Sequence, residues 1–162
     1  MVQSNFDKVV EFNKCFGVHV PPTGEYLNLK DNPDLVKLRS SLITEEVGEL
    51  LDAIKDNDFT EVIDALSDIL YVVYGAGASF GIDLDKTFDI VHRSNMSKLC
   101  ISEEQAKRTV DWYVANDTRY DSPSFRKGDG LYNGKPFWVV FNQSTGKILK
   151  SIDYTPAKFD QL

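Results

Sequence analysis

The stretch VIDALSDILYVVYGAGASF, residues 62–80, reads as one apolar helix interrupted by two charges, Asp64 and Asp68, set one helical turn apart. Carboxylates on a face otherwise built for burial are costly to desolvate, and a protein that keeps them neutralises them with a cation or with basic partners. The preceding segment supplies more acid instead, at Glu45, Glu46 and Glu49. That combination points to a metal.

Working outward, Asp56, Asn57 and Asp58 form a tight polar turn that joins this helix, about 59–80, to an earlier one. The earlier helix starts at Pro33 after an Asn32 cap, continues to about Lys55, and carries the apolar stripe Leu35, Leu38, Leu42, Leu50 and Ile54. A first helix is expected over 5–16, with Ser4 as N-cap, Gly17 as its left-handed stop and Phe6, Val9, Val10 and Phe16 as its inner face. Residues 18–32, with Pro21, Pro22 and Gly24, read as a loop. Beyond Gly81, Asp83 caps a fourth helix to about Lys98, and Ser102 with Gln105 opens a fifth, to about Asn116, in a capping-box pattern. Turn-forming residues dominate 117–135, after which 137–141 and 147–152 read as the strands of a hairpin turning at 144–146. The expected fold is all-α, a bundle of four to five helices with a small C-terminal β-hairpin.

At 162 residues and 42% hydrophobic content the chain suits one well-buried helical domain, residues 1–116. Residues 117–162 form a C-terminal extension packed on that domain or on a partner subunit, because a lone hairpin is marginal in water. A formal charge of −7 argues against nucleic acid as a partner, since phosphate neutralisation needs clustered Lys and Arg. Residues 1–16 mix Asp7, Lys8 and Glu11 with apolar residues and read as neither a signal peptide nor an anchor. No membrane partner is expected. Two isolated cysteines, Cys15 and Cys100, fit a reducing compartment, so the cytoplasm is the expected location.

Residues equally far from the turn of an antiparallel helix pair lie side by side, because each residue rises about 1.5 Å. With the turn centred near Asn57, Asp64 falls level with Glu49, and Asp68 with Glu45 and Glu46. All-oxygen ligation selects a hard cation, Mg²⁺ or Mn²⁺, over zinc or copper. Such a cage is a common seat of phosphate chemistry. A di-iron site would want Glu-x-x-His twice, and with His19 and His92 alone the chain offers at best Asp89-x-x-His92.

Glu45-Glu46-Val47-Gly48-Glu49, followed after the turn by Asp64-Ala65-Leu66-Ser67-Asp68-Ile69-Leu70-Tyr71, resembles the signature of the all-α nucleoside triphosphate pyrophosphohydrolases, Glu-Glu-x-x-Glu then Glu-x-x-Asp. The segments 92–98 (HRSNMSK) and 11–17 (EFNKCFG) resemble its MazG-like branch, which is related to phosphoribosyl-ATP pyrophosphohydrolase. Ala65 stands where that signature has a Glu, so the fourth ligand is either Asp64 beside Asp68 or, in another register, Glu61 with Asp64. The resemblance implies hydrolysis of a nucleoside triphosphate to monophosphate and pyrophosphate. Glu46, Glu49, Asp64 and Asp68 would hold Mg²⁺, Glu45 or Glu46 would activate water, and Asn95 and Lys98 would reach the phosphates. It also implies a homodimer or homotetramer and makes dUTP or another pyrimidine deoxynucleotide the expected substrate. Phosphoribosyl-ATP hydrolysis, or a non-enzymatic acidic module that binds a basic partner, are the alternatives.

Overall fold

The computed structural model describes residues 2–160 and falls into two compact units, one ending at Phe88 and the other starting at Asp89. The first unit holds α1 (Asn5–Cys15), α2 (Pro33–Asp56), α3 (Phe59–Ser79) and the start of α4 (Leu84–Met96). Local chemistry sets these boundaries. Ser4 accepts a hydrogen bond from Asp7 N at 3.1 Å, and Asp58 caps α3 by accepting from Thr60 N and Glu61 N. Asn57 turns the α2–α3 hairpin in the left-handed region at φ 54°, a conformation Asn tolerates better than most residues. At Gly81, φ 79°, a Cβ would collide with the Glu25 carbonyl, because the loop after α1 lies along the end of α3 through Gly24 N to Gly81 O and Leu27 N to Phe80 O. Only glycine fits there.

Helix α3 packs between α1 and α2, and its buried residues are Ala65 and the small-residue run from Gly75 to Ser79. It has the length and apolar content of a membrane-crossing helix, yet its small residues serve close helix packing. Helix α1 buries Phe6, Val9 and Asn13, whereas Phe16, expected on the inner face, is 70% exposed and stacks on Phe12. Phe12 also meets Tyr71 edge-on at 5.5 Å. Asp85 ties α4 to α1 and α3 by accepting hydrogen bonds from Phe6 N and the Tyr74 hydroxyl.

The second unit holds the end of α4, α5 (Glu103–Asn116), β1 (Pro123–Lys127) and β2 (Trp138–Asn142). Ser102 caps α5 as expected, while the Gln105 side chain reaches back to Ile101 N. The strands pair antiparallel, with Phe125 opposite Val140. This corrects the expected hairpin in part: the strand paired along 138–142 is 123–127, while 147–149 meets 140–142 only briefly, through Asn142 N to Lys147 O and Leu149 N to Val140 O. The later segment makes only a single bridge, Phe141 with Ile148, before its chain leaves the sheet. Helix α5 packs on both strands, around a core of Cys100, Ala106, Tyr113, Val140 and Leu149. The compact grouping thus sets α5 with the strands, where the sequence suggests a division after residue 116. Both tryptophans of the chain, Trp112 on α5 and Trp138 on β2, belong to this unit.

Candidate metal centre

Leu35, Arg39, Leu42, Glu46, Leu50 and Ala53 recur at helical spacing along α2, and none of them is exposed. Two charges therefore sit on an inward stripe. The Glu46 carboxylate is half-buried, and its Oε2 is sealed from solvent with no hydrogen-bond partner. Its pKa is raised by this desolvation first, then by the negative charges of Glu49, Asp68, Glu45 and Asp64. Acids from both arms of the α2–α3 hairpin thus act on Glu46. Glu61 is not among the charges that raise Glu46.

Among the described residues no base pairs with this cluster. The ion pairs among the described residues are Lys86–Asp83 and Arg119–Asp117, both elsewhere. As placed, the side chains do not grip a common point: among the described residues no group of three or more His, Cys, Asp or Glu is arranged to hold a metal ion. Glu45 and Glu49 instead line an open groove of about 590 Å³ on the outer face of α2, with Ser41, Thr44, Gly48 and Asp52. A Cβ on Gly48 would meet nothing within 4 Å, so that side of the helix is open.

The premise that Asp64 and Asp68 are shielded from water is corrected. Both are exposed, as are Ile63 at 57% and Leu70 at 58%, because α1 and α2 cover only one side of α3. Ala65 is buried against that covered side, so a longer acid in its place would point into the helix packing. Asn95 and Lys98 stand at the end of α4, where Lys98 Nζ donates to Asn95 Oδ1 at 2.7 Å. Both lie in the second unit. Sequence reasoning passed over Arg39, whose position on the inward stripe with Leu35 and Leu42 was the available signal.

A helical hairpin presenting acids from both arms, with no base to neutralise them, is the layout of the MazG-like all-α nucleoside triphosphate pyrophosphohydrolases. The profile of the phosphoribosyl-ATP pyrophosphohydrolase family matches residues 10–95, over half of the 162-residue chain, and the chain belongs to that family. It is a pyrophosphohydrolase of a nucleotide-type substrate. An uncharacterized protein of Acanthamoeba polyphaga mimivirus is 29% identical to it, over 98% of this chain and 95% of the viral protein.

Proposed function

We propose that the protein is a Mg²⁺-dependent nucleoside triphosphate pyrophosphohydrolase, with Mn²⁺ able to substitute, that cleaves between the α and β phosphates of a pyrimidine deoxynucleotide, dUTP first. The observation that carries this reading is the sealed, unpartnered oxygen of Glu46, whose pKa four neighbouring carboxylates raise and which no base among the described residues pairs. That donor set fits a hard cation. Glu46, Glu49, Asp64 and Asp68 would hold it, and the exposed side chains of Glu49, Asp64 and Asp68 have the rotamer freedom to converge. The bound ion would screen the triphosphate and acidify water. Glu45 or Glu46 would orient the attacking water and take its proton, a role that suits the raised pKa of Glu46.

Phosphoribosyl-ATP is the second substrate reading, favoured by the family match itself. Pyrophosphate release from a panel of nucleoside triphosphates and phosphoribosyl-ATP, with Mg²⁺, tests both. dUTP turnover well above the others supports the first reading, and preference for phosphoribosyl-ATP replaces it with the second.

The protein is further proposed to work as a homodimer or homotetramer. Leu51, Ile54, Phe59, Ile63, Leu66 and Leu70 leave large apolar surface on the α2–α3 hairpin uncovered, an arrangement that suits association with further copies.

A further inference from the structure

The guanidinium of Arg39 is a cation inside the three-helix packing of the first unit, with no anion beside it among the described residues. Arg39 is 8% exposed, its Nε is sealed without a partner, and among the described residues it makes neither a hydrogen bond nor an ion pair. Burial lowers its pKa, but a guanidinium does not shed its proton to escape the cost. Room has been made for it. A Cβ on Gly75 of α3 would meet Arg39 Nη1 at 3.2 Å and Cζ at 3.9 Å, and Val9 of α1 at 3.9 Å. Glycine inside a helix is unfavourable in its own right, and at this position the space it leaves is taken by a buried cation instead of an apolar side chain.

A second donor lies next along the same seam. Asn13, 2% exposed with Nδ2 unpartnered, is one turn beyond Val9 on the same face of α1. The contacts of Val9 with the Gly75 position and of Phe12 with Tyr71 make α1 antiparallel to α3, which sets Asn13 on the Asp68 side of Gly75. Unpartnered polar atoms thus run along the seam from Glu46 through Asn13 to Arg39.

We infer that this seam is a phosphate-binding subsite, in which the Arg39 fork and the Asn13 amide hold an oxyanion of the nucleotide while the acids two turns away hold its metal. The identity of the anion rests on the pyrophosphohydrolase reading; the presence of an anion site rests on Arg39, Gly75 and Asn13 alone.

The test is calorimetric, on the full chain in EDTA, with inorganic pyrophosphate or dUTP against chloride at matched ionic strength. Both anions should raise the melting temperature of the wild type, and Arg39→Met should abolish the rise while melting, without ligand, at or above the wild type. Arg39→Lys, a charge without the fork, should keep a smaller rise. No rise in the wild type, or a full rise in Arg39→Met, overturns the subsite. So does an Arg39→Met protein that fails to fold or loses self-association, since Arg39 would then already have a carboxylate partner within the chain or from another copy. Asp64→Asn should leave the rise in EDTA intact, so failure of the metal reading and failure of this one give different results.

Discussion

Arg39 and Glu46 stand seven residues apart on the inward stripe of α2, about 10 Å along its axis, and each keeps a buried polar atom without a partner. They are too far apart to satisfy one another. The helix carries a positive and a negative locus in series, each with a buried polar atom that has no partner among the described residues.

For Glu46 the pH dependence has a defined sign. A carboxyl whose pKa is raised on folding binds its proton more tightly in the native state, so the metal-free protein loses stability as pH rises from the unfolded value near 4.5 through the raised native one. Glu46→Gln should therefore be more stable than the wild type at pH 7 in EDTA, with the difference vanishing near pH 4. Urea denaturation at the two pH values checks this.

Asp64→Asn keeps the shape and removes one negative charge. Turnover should fall on the order of a thousandfold, since metal charge stabilisation amounts to several kcal/mol and each ~1.4 kcal/mol is a factor of ten. The metal-free fold should be as stable as before or more so, and the Mg²⁺-induced rise in melting temperature should shrink. A strongly destabilised metal-free variant would mark Asp64 as structural instead.

Leu70 is exposed on the uncovered side of α3. Leu70→Glu should lower the molar mass measured by light scattering at micromolar concentration while leaving the melting of a monomer nearly unchanged. A wild type that already scatters as a monomer removes the proposed assembly.

In the second unit, Asp121 accepts hydrogen bonds from the Ser144 hydroxyl at 2.6 Å, the Asn142 amide at 2.9 Å and the Ser122 hydroxyl at 3.1 Å, which lower its pKa to about 2. A depressed carboxyl contributes stability above its unfolded pKa that is lost as pH falls through the native one. The wild type should weaken between about pH 4 and pH 2, and Asp121→Asn should flatten that part of the profile. Guanidinium denaturation across the range measures it.

The helices were legible because their ends are set locally: Ser4, Asp83 and Ser102 accept hydrogen bonds from the backbone within three residues, whatever the rest of the chain does. Strand β1 was not, since Pro123, Ser124 and Lys127 have weak strand preference and their pairing with 138–142 is set by tertiary packing against α5. The facing acids were legible from helical rise. Their exposure was not: Ile63, Leu66 and Leu70 announce burial in the sequence, and only the packing shows that neither α1 nor α2 covers them. Arg39 escaped notice because a long cation on a helix ordinarily lays its stem on the core and its head in water. Gly75 is what reverses that expectation.

Trp112 and Trp138 both lie beyond residue 88. Emission excited at the indole band is consequently an optical reporter of the second unit alone, and melting of the helical hairpin with its acids passes unseen unless tyrosine is followed. A denaturation curve recorded by that signal and one recorded by helical circular dichroism would coincide only if the two halves come apart together, which makes the pair of probes a direct reading of their cooperativity.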